Sequence, residues 1–326
     1  MIGRGATDRG AYTIKKEGAR MIKVTDVAYA RFTAPDLDRM EGFLNDFGLV
    51  RSARTETALY MRATAQDHHV HVTKLGDPNF TGFAFNATSE EDLHVLSQAK
   101  GASDVHDIDE PGGGKRVSIT DPDGFIIEVV YGIEELTPLP VKNFFPANQG
   151  TRRQRQGEFV RLEPGPAQCK RLGHVVLTVT DFKKTDEFYK SHFGLLSSDE
   201  CHNDDGEIVL SFNRCDRGDK WVDHHTLLTV PGEKATLGHV AFEVEDLNHL
   251  QLGHEHLKKK GYKHSWGIGR HILGSQIFDY WFDPYDFRVE HWTDGDLLNS
   301  ATPAGTFPAS EALNVQWGSD ASSRVS

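Results

Sequence analysis

Two α+β modules in tandem are the fold this sequence predicts, and three observations carry that prediction. A strand–Asp–helix segment closed by Phe-Gly-Leu occurs twice. An Asp-His-His run occurs twice, ahead of a further strand and helix. Each copy then ends on Asp-Pro followed by a strand that carries a glutamate. Such self-similarity is sought first because a repeat changes the reading of every segment.

Taken in order, residues 1–20 lack the apolar core of a signal peptide and read as an N-terminal tail, with a strand starting near Met21. The first module spans 21–135. Its KVTDVAYARFTAPDLDRMEGFLNDFGL pairs an alternating apolar strand with a helix capped by Asp36 and stopped by Gly48. DHHVHVTKLGDPNFTGFAF follows, then a second helix and DPDGFIIEVV with Glu128. Residues 136–168, rich in Pro, Gly and Arg, read as a linker. The second module, 169–298, repeats the order: RLGHVVLTVTDFKKTDEFYKSHFGL with Asp181 as cap, DHHTLLTVPGEKATLGHVAF, a helix from about Asp246 to Gly261 with Leu250 and Leu257 on one face, and DPYDFRVEHW with Glu290. Residues 299–326, dominated by Ser, Ala, Gly and Pro, read as a loosely held tail.

A chain of 326 residues has room for two domains, and 38% hydrophobic with 26% charged residues is an ordinary globular balance. A net charge of −12 argues against a surface that tracks phosphates, so nucleic acid is a poor partner. No run of 18 apolar residues exists, which leaves no helical membrane span to expect. Three cysteines without metal-type spacing suggest a reduced, cytoplasmic protein. Most of the 17 histidines are expected as solvated groups, among them His249, His254 and His256 on the last helix.

A few histidines call for another reading. Counting back from the capping aspartates aligns His174 with Tyr29. The Asp-His-His spacing aligns His239 with Phe83, and Glu290 aligns with Glu128. A lone buried histidine is more often a satisfied core group. Here two imidazoles replace non-ligating residues in one copy only, and each candidate sits on a strand, where alternation lets one residue per strand face a shared cleft. His174, His239 and Glu290 would form the two-histidine, one-carboxylate face that holds non-haem Fe(II), with Mn(II) as the other ion such ligands accept. The stretch Gly269 to Trp292 adds His271 and Tyr280, which have no counterparts in the first copy. His225 of the second Asp-His-His completes the set, although His69 stands in its place in the module without a metal site.

Gly173-His174, Asp223-His224-His225-Thr226, Gly238-His239, Gly269-Arg270-His271, Tyr280, Asp283-Pro284 and Glu290 together make the chain resemble the type I extradiol ring-cleaving dioxygenases of the vicinal oxygen chelate superfamily. The resemblance covers about residues 22–298. It departs from the family pattern at Asp279, where an apolar residue is usual, and at Asp286, where Gly or Pro is usual. It implies paired βαβββ units forming half-open barrels, with the active site in the C-terminal domain only. It further implies a catecholic substrate chelated on iron, O2 as co-substrate and a homo-oligomer. His225 would be the acid/base, and His271 and Tyr280 hydrogen-bond partners of the bound substrate. A glyoxalase-type isomerase or a resistance protein of the same fold is the alternative, but such sites generally draw ligands from two modules, and Tyr29 and Phe83 supply none. Trp266, Ile268, Trp281, Phe282 and Trp292 are candidate walls. Arg270 and Arg288 are the candidate carboxylate-binding groups.

Overall fold

A computed structural model describes residues 22–318. The first domain runs β1 (Val24–Ala34), α1 (Leu37–Phe47), β2 (Val50–Arg54), β3 (Ala58–Arg62), β4 (His71–Leu75), β5 (Asn79–Ala87), α2 (Glu90–Leu96), β6 (His106–Asp107), β7 (Lys115–Thr120) and β8 (Ile126–Tyr131). The second runs β9 (Cys169–Val179), α3 (Phe182–Phe193), β10 (Leu196–His202), β11 (Ile208–Arg214), β12 (Val222–Asp223), β13 (Leu227–Pro231), β14 (Thr236–Val244), α4 (Leu247–Lys260), β15 (His264–His271), β16 (Ile277–Phe282) and β17 (Arg288–Thr293). Three short strands follow: β18 (Leu297–Leu298), β19 (Gly305–Pro308) and β20 (Val315–Gly318).

The first sheet has the order β2-β3-β4-β1-β5-β8-β7-β6, and the second keeps it as β10-β11-β13-β9-β14-β17-β16-β15. In both, two βαβββ units meet antiparallel at the centre, β1 against β5 and β9 against β14. Each sheet is open rather than a closed barrel, so its concave face is a cleft.

Local chemistry explains the repeat. Asp36 accepts the amides of Asp38 and Arg39, and Asp181 accepts that of Lys184, which satisfies donors a helix start leaves unpaired. Gly48 (φ 115°) and Gly194 (φ 69°) end those helices in the left-handed region. The Asp-Pro pair recurs because its carboxylate closes the next turn: Asp121 accepts the amides of Asp123 and Phe125, and Asp283 those of Tyr285 and Phe287.

Each domain's first helix packs on the other domain. Phe47 of α1 stacks on His291 of β17, with ring centroids 3.8 Å apart, and His291 Nε2 lies 2.7 Å from the Phe47 carbonyl. Reciprocally, Tyr189 of α3 donates to Asp121 at 2.9 Å and faces Phe83. One hydrophobic core therefore runs through both domains.

The structure corrects three expectations. Residues 299–326 are not simply a tail: β19 pairs with β10 and β20 with β15, extending both edges of the second sheet. Residues 319–326, like the expected tail 1–20, lie outside the described residues. The counterpart of His239 is Gly82, not Phe83. Gly82 opposes Arg31 as His239 opposes Val176, while Phe83 opposes Ala30 as Val240 opposes Val175. The α4 histidines are not simply solvated groups: His249 is buried, and the half-buried His254 and His256 are paired, His254 with Asp279 and His256 Nε2 with Asp46 at 2.8 Å.

Candidate metal centre

Six adjacent segments of the second sheet deliver the site. His225 precedes β13, His174 lies on β9, His239 on β14, Glu290 on β17, Tyr280 on β16, and His271 ends β15. In strands of period 2, facing residues fall at fixed registers: His174 opposes Ala241, and Tyr280 opposes Glu290. The glycines before the histidines create room. A Cβ on Gly173 would stand 2.5 Å from the Trp292 ring, and one on Gly238 would stand 2.8 Å from Val176.

The three predicted ligands converge. His174 Nε2 is 3.2 Å and His239 Nε2 3.1 Å from Glu290 Oε2, and the two nitrogens are 3.3 Å apart. Neighbouring ligands about 2.1 Å from one ion stand about 3 Å apart when they meet at right angles. All three residues are buried, and Glu290 Oε1 finds no hydrogen-bond partner among the described residues. Burial holds the His174 imidazole down to about 3, so its lone pair is free at neutral pH. Burial also pushes the Glu290 carboxyl above its ordinary value of 4.5, against hydrogen bonds from His239 and Tyr280. Facing lone pairs and a desolvated carboxylate are unfavourable alone and favourable around a divalent cation. The donor set fits a metal.

The other predicted residues border the same point. The His225 ring centroid is 4.1 Å from that of His174. Burial, and then the neighbouring imidazoles of His174, His224, His239 and His271, hold His225 well below 6.5. His271 Nε2 lies 2.9 Å from the Tyr280 hydroxyl, and the Tyr280 ring meets His239 edge-on at 5.0 Å.

Asp199 and His224 stand behind His225, and sequence reasoning gave neither a role. His224 Nε2 lies 2.8 Å from Asp199 Oδ2, and its Nδ1 is 3.2 Å from His225 Nδ1. The doubled histidine was a visible signal for His224; nothing near Asp199 in sequence marks it.

A cavity of about 280 Å³ opens beside the centre. Val176, Leu210, Leu228, Trp266 and Leu313 line it together with His239 and Tyr280, and among the described residues no Asp, Glu, Lys or Arg does. Trp266 is thus a wall, as the sequence suggested. Trp281 instead faces His254 behind the sheet, and Trp292 packs near His174. Arg270 is engaged by Asp294 and Arg288 by Ser265, outside the cavity lining.

Glu128, the first-domain counterpart of Glu290, is bound differently. It accepts from Tyr29 at 2.6 Å, from Arg31 at 2.8 Å and from Arg116 at 3.0 Å. Two guanidinium groups supply the positive charge there.

Comparison with known proteins supplies the family. Residues 171–291 match the model of the Glyoxalase/Bleomycin resistance protein/Dioxygenase superfamily. The chain is 31% identical over 302 residues to metapyrocatechase 2 of Cupriavidus necator, covering 91% of this chain and 90% of that protein. Among solved structures, the Mn(II)-bound glyoxalase of Novosphingobium aromaticivorans superposes with a TM-score of 0.76 at 23% identity, covering 94% of this chain and 95% of that one. Homoprotocatechuate 2,3-dioxygenase of Brevibacterium fuscum, in complex with 3,4-dihydroxyphenylacetate, superposes with a TM-score of 0.75 at 20% identity, covering 91% and 89%. These two likenesses show the shared fold, and the full-length relative shows the family: the chain belongs to the type I extradiol ring-cleaving dioxygenases of the vicinal oxygen chelate superfamily.

Proposed function

We propose that this enzyme uses Fe(II), held by His174, His239 and Glu290, to cleave single-ring catechols that carry a small apolar substituent. The observation that carries the reading is the meeting of His174 Nε2, His239 Nε2 and Glu290 Oε2 at 3.1–3.3 Å beside an uncharged cavity. When bound, the iron would acidify the diol hydroxyls and bring catecholate and O2 to one centre. Mn(II) is the other ion this donor set accepts. The overall reaction breaks the ring bond beside the diol and places both oxygen atoms in a ring-opened semialdehyde, with no external reductant.

The protein side chains manage protons. Asp199 Oδ2 accepts a hydrogen bond from the His224 Nε2–H, which leaves His224 Nδ1 as an acceptor. Neutral His225 then donates from Nδ1, and its Nε2 is left as a base able to take a hydroxyl proton and return it later. The Tyr280 hydroxyl and His271, hydrogen-bonded to each other, stand on the other flank as the pair that meets a substrate oxygen. The small cavity suits one ring, and its lining of Val, Leu and Trp offers a carboxylated side chain no cation.

We further propose that the enzyme works in the cytoplasm as a homo-oligomer that binds neither nucleic acid nor membrane. Three free, buried cysteines support the reducing compartment, and exposed Phe144, Phe159 and Trp221 offer apolar contact area.

Anaerobic loading with Fe(II), then oxygen uptake and yellow product formation with a panel of catechols, tests the reading. Alkylcatechols should turn over well and 3,4-dihydroxyphenylacetate poorly. Absence of oxygen uptake with every catechol would overturn the activity; preference for the carboxylated substrate would overturn the specificity alone.

A further inference from the structure

β16 presents different chemistry on its two faces. Tyr280 lines the cleft, while its neighbour Asp279 lies under α4, fully buried. Two imidazoles reach that carboxylate. His264 Nε2, from the first residue of β15, is 2.8 Å from Oδ1. His254 Nδ1, from α4, is 3.1 Å from Oδ1 and 3.2 Å from Oδ2. Trp281 Nε1 donates to Oδ2 at 2.6 Å.

We propose that His254, His264 and Asp279 form a second divalent-metal site, behind the catalytic sheet, for a nitrogen-preferring ion of the zinc type. Two imidazoles and one carboxylate from three separate elements leave a fourth tetrahedral position to water. Their ligand atoms all lie within 4.8 Å of one another. Each nitrogen approaches the carboxylate at 2.8–3.2 Å, much as in the cleft, where the corresponding values are 3.1 and 3.2 Å. The Trp281 N–H orients the carboxylate from outside, as groups behind metal ligands commonly do. Access is asymmetric: the Asp279 side chain is closed off, whereas that of His264 is 33% and that of His254 16% exposed. An ion therefore has an entry at the rim and a desolvated anion at the base. Bound there, it would tie α4 to the β15–β16 hairpin, whose other face carries Trp266 and Tyr280.

Metal-free full-length protein titrated with Zn(II) by calorimetry, with metal analysis after gel filtration, decides the matter. The wild-type chain should take up two ions, and His239→Ala, which disables the cleft site, should retain one. His264→Gln, at the exposed rim where folding is least at risk, should lose the second event. One ion in the wild type, none in folded His239→Ala, or undiminished binding of two by His264→Gln would each overturn the proposal. If His239→Ala does not fold, the comparison of wild type with His264→Gln is sufficient.

Discussion

Replacing Gly173 by alanine tests how tightly packing behind the centre fixes His174. The new methyl group would stand 2.5 Å from Trp292 Cζ2 and 2.7–2.8 Å from two further ring atoms. A relaxed carbon contact is about 3.5 Å, so the indole must retreat by about 1 Å. It is buried, with its ring centroid 5.8 Å from that of His174, so the retreat disturbs a ligand's support. Overpacking of this kind costs about 1–3 kcal/mol. At about 2–4 °C for each kcal/mol, thermal unfolding should fall by several degrees. Catalysis should suffer more, because a displacement near 1 Å in a positioned reactant costs about 100-fold. Parallel measurements of unfolding, Fe(II) affinity and oxygen uptake distinguish the two effects. A Gly173→Ala enzyme with wild-type iron affinity and turnover would refute the reasoning.

Further outcomes follow from the same contacts. His225→Asn should keep stoichiometric iron and slow oxygen-coupled turnover by about 100- to 10,000-fold, measured by oxygen electrode and metal analysis together. His239→Ala should lose stoichiometric iron; wild-type iron affinity in that variant would remove it from the ligand set. Arg31→Met should destabilise the protein by about 3–5 kcal/mol in urea unfolding, because it leaves the buried Glu128 carboxylate short of a partner. At the α1–α4 contact, hydrogen bonds from His256, Lys260 and Tyr262 outweigh burial and hold Asp46 below its ordinary 3.8. A depressed carboxyl stabilises the fold above its unfolded value and loses that contribution as pH falls through the folded value. Asp46→Asn should therefore flatten the acid limb of the stability profile from about pH 4 downward, as read by unfolding across pH.

The legible part of this protein was the part encoded by local rules. Capping aspartates, helix-ending glycines, Asp-Pro turns and alternating strands obey short-range chemistry, so the duplicated order of elements could be read directly. The same duplication singled out His174 and Glu290. It misplaced the counterpart of His239 by one residue because the turn between β13 and β14 has four residues where that between β4 and β5 has three. Spacing counted from the Asp-His-His runs crosses that turn, whereas sheet register does not. The C-terminal strands were hidden for another reason. Strands of four residues on sheet edges bury too little to need an apolar period, and pairing with β10 and β15 holds them. His254 and His256 looked like a polar helix face. Their partners, Asp279 and Asp46, arrive from other elements, which no periodicity within the helix reveals.

The two domains show two solutions to one electrostatic problem. A glutamate at matching positions of β8 and β17, Glu128 or Glu290, is buried on the concave face and requires positive charge. In the first domain Arg31 and Arg116 supply it, and Tyr29 fills a third direction; the carboxylate's donors are permanent parts of the fold. In the second domain Val176 takes the position of Arg31, Phe278 that of Arg116 and His174 that of Tyr29, so both guanidinium groups are gone and lone pairs face the carboxylate instead. Loss of the guanidinium is as important as gain of the histidine: an arginine at 176 would compete for Glu290 and project a charge into the apolar cavity. Val176 lines that cavity, so this one difference both removes a counter-charge from the glutamate and makes room for a ring. Metal binding here is thus built by withdrawing the protein's own counter-charge from a carboxylate the scaffold already buries.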